Sequence, residues 1–209
     1  VHMLSLDQEN TEVVLNEGGD DMDFRVETGS SRMHTLFVEG NTGNVGINES
    51  DPDAMLHLTS GVAWKPELLL HNTDTDADSA MIKFLKNEDV NAVDGDVIGT
   101  ITFFSSNGSG QTPEEFARLS AEVAEKTATT EDGMIQLAMK VAGNTVSGVK
   151  CTGSGIVSNG AEVVINEGSV DMDFRVESNA NTHAFFVTGS EGNIGVGKIP
   201  SVASRVHIK

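Results

Sequence analysis

The sequence is poor in the side chains that usually build a large core. Its 209 residues include no tyrosine and a single tryptophan, Trp64, and aromatic residues make up only 5% of the chain. Aromatic side chains contribute much of the energy of protein cores because each buries a large apolar area. We therefore expect thin modules rather than one large core.

Positive charge is also scarce. Thirteen Lys and Arg residues stand against 32 Asp and Glu residues, and the formal net charge is −19. An acidic surface repels phosphate backbones, and it lacks the clustered basic residues of a membrane-surface protein. No apolar run approaches the length of a membrane span. We expect neither nucleic acid as a partner nor membrane insertion.

Cysteine and catalytic motifs are nearly absent. The lone Cys151 cannot form a disulfide within the chain, which excludes a disulfide-stapled secreted domain. We interpret it as a small residue near a strand end, with pairing to another chain as the alternative. The sequence contains no phosphate-binding loop, no nucleophile elbow and no cysteine-pair metal pattern. We expect no enzymatic activity and no cofactor.

The dominant feature of the sequence is one stretch that occurs twice. EVVLNEGGDDMDFRVE at positions 12–27 matches EVVINEGSVDMDFRVE at positions 162–177 at 13 of 16 residues. The similarity continues through LFVEGNTGNVGI and FFVTGSEGNIGV to a closing LHL or VHI. A repeated unit of about this length is typical of arrays of supersecondary structure.

Each copy reads as short strands joined by tight turns. Met22, Phe24 and Val26 alternate with charged residues, which predicts a strand with one dry face. Gly43 and Gly192 fall where a hairpin turn needs a left-handed residue. Such a unit has too few apolar side chains to close a core, so we expect it to stack on a neighbour or on copies in other chains.

The repeat also sets the domain organisation. We interpret residues 1–11 as the end of a preceding module and a linker, 12–58 as repeat unit one, 59–161 as a central β module and 162–209 as repeat unit two. Val1-His-Met3 resembles the closing strand of the unit, which indicates a section of a longer fibrous polypeptide. A cloning remnant is the alternative.

The central module is predicted to be mostly strands. The predicted strands are Glu67–Asn72, Ala80–Lys86, Asp96–Phe104 and Met134–Lys140, followed by a hairpin with Gly143-Asn144 at its tip. Residues 113–125 are ambiguous. Thr112 and Pro113 carry helix-start chemistry, whereas Leu119, Ala121 and Val123 alternate as in a strand. We favour the strand, with a helix over 113–125 as the alternative.

These motifs resemble the modules of phage tail fibres, in particular those of phages that infect marine bacteria. The resemblance rests on the VVINEGSVDMDFRVES stretch, the Gly-Asn-[Val/Ile]-Gly-[Ile/Val] turn and strand, the proline-containing loop and the closing Leu-His-Leu. In the first copy Asn48 replaces the usual last glycine. The central DVIGTITFF and FARL segments also resemble a module found beside the repeat in such fibres.

The resemblance implies an all-β, elongated, modular fibre of short strands and hairpins, assembled as an intertwined homotrimer. Strands from three chains would then share one core. The candidates for that trimer core are the apolar residues of both repeats, namely Met22, Phe24, Val26, Phe37, Met172, Phe174, Val176 and Phe186.

Candidate sites for chemistry are weak. Asp20, Asp21 and Asp23 cluster in the repeat, but neither this cluster nor the Asp74, Asp76 and Asp78 series has the Gly and Glu of a calcium loop. Both read as solvated turns. His57 and His207 alternate with aliphatic residues and are expected to face water. We expect no metal site, and we expect Trp64 to wedge between modules.

The resemblance therefore implies a structural component of a phage virion appendage, a tail-fibre shaft segment that supports host-cell attachment. Its localisation would be the virion tail. Its partners would be itself, as a homotrimer, other virion tail proteins and a bacterial surface receptor. A cell-surface adhesin or glycan-binding module is the alternative, and a depolymerising tailspike is a third.

Overall fold

We describe the fold from a computed structural model of the chain. It describes residues 4–7, 12–16, 18–29, 34–86, 92–107, 112–127, 129–153, 160–202 and 205–208. The prediction of an all-β protein is confirmed, because these residues form strands and turns and contain no helix. The predicted resemblance of Val1–Met3 to a closing strand lies outside the described residues.

Fifteen strands occur in the described part of the chain, thirteen of them in three sheets of five, four and four strands. They are β1 (Leu4–Asp7), β2 (Glu12–Leu15), β3 (Phe24–Val26), β4 (Leu36–Val38), β5 (Val45–Ile47), β6 (Leu56–Leu58), β7 (Val97–Ser106), β8 (Pro113–Glu125), β9 (Asp132–Val141), β10 (Asn144–Thr152), β11 (Glu162–Ile165), β12 (Phe174–Ser178), β13 (Asn181–Val187), β14 (Ile194–Val196) and β15 (Val206–Ile208).

The central module forms a five-stranded antiparallel sheet in the order β11-β10-β9-β8-β7. The predicted strands at Asp96–Phe104 and Met134–Lys140 are confirmed by β7 and β9, and β8 settles the ambiguity at 113–125 in favour of the strand. The hairpin between β9 and β10 turns at Ala142-Gly143, one position before the predicted tip. Both residues have positive φ, 48° and 84°, as a two-residue type I′ turn requires.

The two repeat units fold alike. β3-β4-β5-β6 and β12-β13-β14-β15 are four-stranded sheets, each with two antiparallel pairs followed by a parallel pair. Equivalent residues pair in the same register. Arg25 lies opposite Phe37, and Arg175 lies opposite Phe186. The sequence repeat is therefore a structural repeat.

The first strand of each repeat pairs outside its own four-stranded sheet. In repeat two, β11 pairs with β10 and completes the five-stranded sheet, so the predicted boundary at 161/162 runs through a sheet. In repeat one, β2 pairs with β1 in the matching register. The linker predicted within residues 1–11 is therefore wrong for Leu4–Asp7, which form a strand, while residues 8–11 lie outside the described part.

The chain divides into two compact units, residues 1–81 and 82–209. Residues 67–86 contain the division between the two units, and they belong to no sheet. The strands predicted at Glu67–Asn72 and Ala80–Lys86 are therefore wrong. Both segments are apolar enough for strands, but a strand exists only where a neighbouring strand pairs with it, and the sheets of the described residues include neither segment.

Little of the described chain is buried. The buried apolar residues are Phe37, Ala124, Ala138, Val146 and Phe186. Two of them, Phe37 and Phe186, are equivalent residues of the two repeats and form the small centre of each four-stranded sheet. The other three lie in the five-stranded sheet. This interior is far smaller than the set of large apolar side chains that stay exposed.

Candidate interaction surface

A turn with a double asparagine clamp opens each repeat. The Asn16 side chain donates to the carbonyl of Asp20 at 2.6 Å and accepts from the Asp20 N–H at 3.2 Å. Asn166 makes the same two bonds to Val170, at 2.8 and 3.2 Å. Both asparagines have positive φ, 60° and 66°. Asparagine tolerates this conformation better than most residues, which accounts for its use at both positions.

A second repeated contact fixes the chain before β3 and β12. Asp23 Oδ1 accepts a hydrogen bond from the N–H of Gly40 at 2.9 Å, and Asp173 Oδ1 accepts one from Gly189 at 2.9 Å. Gly40 lies so close to the backbone of Met22 that a Cβ atom would be 2.5 Å from the Met22 nitrogen. Asp23 and Asp173 therefore have a structural role, because each holds the chain in a solvated turn.

These contacts shape a groove that occurs twice. The groove in repeat one has a volume of about 890 Å³, and the one in repeat two about 550 Å³. Equivalent residues line both, in repeat two Ile165, Met172, Phe174, Arg175 and Phe186. Arg25 and Arg175 each form an ion pair with the Glu two positions further on, at 2.8 and 2.6 Å. Each groove thus has an apolar floor and a charged rim.

The trimer-core candidates divide into two groups. Phe24 and Phe174 are 39% and 38% exposed, and Val26 and Val176 are also exposed. Met22 and Met172 are half-buried. Phe37 and Phe186 differ, because they are only 5% and 6% exposed and are covered by their own chain. They lie opposite Arg25 and Arg175 in the register, on the other face of the sheet from Phe24 and Phe174.

Phe24 and Phe174 each belong to a continuous apolar row that crosses their sheet. In repeat one the register aligns Phe24, Val38, Val45 and Leu56. In repeat two it aligns Phe174, Val187, Ile194 and Val206. Residues paired directly across strands point to the same face. One face of each sheet is therefore apolar from edge to edge, and its outer residues are exposed.

The histidines of the closing strands lie on the opposite face, so the expectation that they face water is wrong. His57 and His207 are half-buried, whereas the aliphatic neighbours Leu56 and Val206 are exposed. Each histidine pairs with a glycine, Gly46 or Gly195, which leaves room for the ring.

Residues next to each closing strand provide the polar partners of these histidines. His57 Nε2 lies 3.2 Å from the Thr59 hydroxyl, and His207 Nδ1 accepts from the Ser201 N–H at 3.2 Å. Thr59 also donates to Glu49 at 2.7 Å. The histidines therefore anchor a loop to the sheet.

The turn glycines are as predicted. Gly43 and Gly192 have φ of 74° and 66°, so the predicted left-handed position is confirmed in both repeats. The replacement of the last glycine by Asn48 also has a reason. Asn48 has φ 57° and its counterpart Gly197 has φ 76°, and asparagine is among the few residues other than glycine that adopt this region readily. The Asn48 side chain also donates to the Thr59 carbonyl at 3.0 Å.

Four carboxylates have lowered pKa values, and each has an ordinary surface partner. The Thr59 hydroxyl lowers the pKa of Glu49, and the Lys86 ammonium lowers that of Asp96. Hydrogen bonds from Lys140 and Thr127 lower the pKa values of Glu114 and Glu125 in the same way. A general acid needs a raised pKa, so these four groups have the shift opposite to that role.

No group of three or more His, Cys, Asp or Glu residues within the described ranges is arranged to hold a metal ion. The Asp74, Asp76 and Asp78 series instead forms a turn. The Asn72 side chain accepts from the Asp74 N–H at 2.8 Å, and Asp76 accepts from the Asp78 N–H at 3.0 Å.

Trp64 is 96% exposed. The expectation that it wedges between modules is therefore not met by this chain, whose described residues leave the indole ring in solvent. Cys151 is half-buried in β10 and its thiol is free.

Comparison with known protein families found no matching family, and comparison with curated proteins found no significant match. No helix in the described part of the chain is long and apolar enough to cross a membrane.

Proposed function

We propose that this chain is a structural component of a phage virion appendage, a shaft segment of a tail fibre that supports host-cell attachment. Three copies would share one core along a modular fibre. The further partners would be other virion tail proteins and a bacterial surface receptor. The observation that carries the proposal is that the outer residues of both apolar rows, Phe24 and Leu56 in repeat one and Phe174 and Val206 in repeat two, stay exposed in the single chain.

Exposed apolar rows of this kind are a liability for a protein that acts alone. Monomeric soluble proteins seldom expose large contiguous apolar patches, and such patches usually mark contact surfaces. Burying one phenylalanine or valine contributes on the order of 2 kcal/mol. The same faces recur at equivalent positions 150 residues apart, so each repeat offers its own contact surface to another copy.

The charge of the chain suits a fibre. Three copies would carry 3 × −19 = −57 formal charges. Like charge on the outer surface keeps fibres apart in solution and discourages edge-to-edge sheet growth. A shaft built in this way resists separation of its chains, because pulling one chain away exposes apolar rows along its whole length.

A matched pair of variants tests the proposal. Val176→Asp places a carboxylate on the apolar face of repeat two, two positions from Phe174, whereas Thr182→Asp places the same charge on an exposed position of the neighbouring strand β13. We expect the first variant to lower the mass in solution toward the 22.1 kDa of one chain and the second to keep the wild-type mass. Equal behaviour of the two variants would contradict a shared core at this face.

The exposure of Trp64 favours one second candidate, a glycan-binding module, because sugar rings stack on exposed aromatic faces. Trp64 is the sole tryptophan, so its fluorescence reports on this site alone. If the site binds glycans, titration with bacterial surface oligosaccharides shifts the emission, and Trp64→Phe or Trp64→Ala weakens binding. Unchanged emission across the series would leave the shaft as the better interpretation.

A further inference from the structure

The five-stranded sheet has an apolar face that the sequence analysis did not single out. One register row crosses all five strands, and each member pairs directly with the next. The row is Ile101, Leu119, Leu137, Val149 and Ile165. A second row, two positions along the strands, is equally free of charge. It is Gly99, Ala121, Ile135, Cys151 and Val163.

The rows between them point to the opposite face and are polar. One such row is Thr100, Ser120, Gln136, Lys150 and Val164. Ion pairs lie along this face, including Lys150 with Glu167 at 2.9 Å. The sheet therefore has one uncharged face and one face with a layer of polar and charged side chains.

In the single chain the uncharged face has large exposed side chains, while residues on the polar face are buried. A sheet that is stable as a single chain would show the opposite. On the uncharged face Leu137 is 42% exposed, and Ile101, Ile135 and Val163 are exposed as well. On the polar face Ala138, the next residue along β9, is 2% exposed, and Ser120 is buried. The side of the sheet that gains most from leaving water is thus the side left open.

The described part of the chain supplies only partial cover for this face. Phe84 packs against Gly99, close enough that a Cβ atom there would be 2.6 Å from the Phe84 side chain. Phe84 is itself exposed. Beside this contact, Ala121, Ile135 and Cys151 line an open depression of about 660 Å³. At the other end of the first row, Val149 and Ile165 line the groove of repeat two, so the cover is confined to the two ends and the middle strands stay exposed.

We propose that this uncharged face of the five-stranded sheet packs against the same face of other copies of the chain. The inference rests on the proposed function, which makes the chain its own partner through the repeats. It adds the central module as a second contact, in which the sheets of neighbouring copies lie about 10 Å apart, as packed sheets do.

The charge distribution favours a second copy of the chain as the partner that covers the uncharged face. Two chains that each carry −19 repel each other unless they meet through a surface without charge. The two apolar rows supply such a surface, and the ionised groups of Lys150 and Glu167 lie on the other face. A basic partner would need acidic residues opposite it, and the rows contain none.

The size of the face points the same way. Five strands at about 4.8 Å spacing and two rows about 7 Å apart cover an area on the order of 300 Å². That is less than half of the ~800 Å² per partner that a standard protein interface buries. The face is therefore too small to hold a separate partner by itself, but it adds to the contacts of the repeats when the partner is another copy of the chain.

The test uses adjacent residues on opposite faces and the natural thiol as a reporter. Leu137→Asp and Gln136→Asp add the same charge one residue apart on β9, the first to the uncharged face and the second to the polar face. Cys151 is the sole cysteine and lies in the second apolar row, so its alkylation by a maleimide measures cover of that face.

If copies pack through this face, wild-type Cys151 reacts at least about tenfold more slowly in the native oligomer than in denaturant, since access limits thiol reactivity. Leu137→Asp lowers the mass in solution and restores fast labelling, while Gln136→Asp changes neither. The wild-type labelling rate needs no variant, so fast labelling of the native oligomer contradicts the inference even if Leu137→Asp fails to fold.

Two results overturn the inference in different ways. An oligomeric wild type whose Cys151 reacts as fast as in denaturant removes this face from the interface and leaves the proposed function standing. A monomeric wild type contradicts the proposed function and removes the partner on which this inference depends.

Discussion

The N–H of Gly189 donates to the side chain of Asp173 at 2.9 Å, and Gly40 makes the same bond to Asp23 in the first repeat. The close backbone approach behind this bond leaves no room for a side chain. We expect Gly40→Ala to lower the free energy of unfolding by about 1–3 kcal/mol, because the new methyl group would overlap the Met22 backbone. Thermal unfolding at fixed protein concentration measures it.

Gly29 is the matched control in the same repeat. A Cβ atom there meets no other atom within 4 Å, and its φ is not positive. Gly29→Ala should therefore change the stability by no more than about 0.5 kcal/mol. If Gly29→Ala and Gly40→Ala lower the free energy of unfolding equally, the close contact with Met22 is not the reason that position 40 requires glycine.

The left-handed position shared by Asn48 and Gly197 makes a second prediction. A β-branched residue is strained there by roughly 1–2 kcal/mol, whereas glycine is not. We expect Asn48→Val to destabilise the chain clearly and Asn48→Gly to have little effect, because glycine replaces a side chain that makes one exposed hydrogen bond. The ranking of the two midpoints of thermal unfolding checks this. An Asn48→Val variant as stable as the wild type would contradict the assigned backbone conformation.

The ion pair of Lys86 with Asp96, 2.6 Å long, predicts a pH dependence. Lys86, with a further hydrogen bond from the Val93 N–H, holds the pKa of Asp96 below its ordinary value of 3.8. The contribution is fully present above pH about 4 and is lost as the pH falls through the lowered value. We expect Asp96→Asn to lower the unfolding midpoint at pH 7 and the difference to shrink below pH about 4.

The exposed Glu131 serves as the control for that experiment. Glu131→Gln removes one negative charge, as Asp96→Asn does, but not this ion pair. Its midpoint should stay within the error of the wild type or rise slightly, since it relieves repulsion on an acidic chain. A difference between Asp96→Asn and wild type that persists unchanged at pH about 2–3 would contradict the assigned role of the pair.

The sequence predicted the strands that carry a period-2 pattern within a hairpin. Leu119, Ala121 and Val123 alternate in β8, and this pattern outweighed the helix-start chemistry of Thr112 and Pro113 because β7 and β9 supply backbone partners on both sides. Local propensity alone does not decide such a segment. Pairing with β7 and β9 decides it.

The same reasoning failed at Glu67–Asn72 and Ala80–Lys86. Their composition suits a strand, but no property of a single segment says which neighbour will accept its hydrogen bonds. The face of His57 was missed for a related reason. Its direction depends on the pairing with Gly46, and alternation shows which residues share a face without showing which face is covered.

The uncharged face of the five-stranded sheet could not be read from sequence at all. Leu137 and Val149 face each other only because of a register shift between Ser147 and Val149 in β10. A count of alternating residues from the hairpin turn would place Val149 on the wrong side. Bulges of this kind change which residues share a face, and nothing in the local sequence marks this one clearly.

The mass of the wild-type chain in solution, followed by light scattering over a dilution series, shows whether copies of the chain share a core. A shared core predicts a trimer of 3 × 22.1 = 66.3 kDa that persists on dilution, because the exposed residues Phe24 and Phe174 need partners. A monodisperse species of 22.1 kDa at every concentration would contradict it.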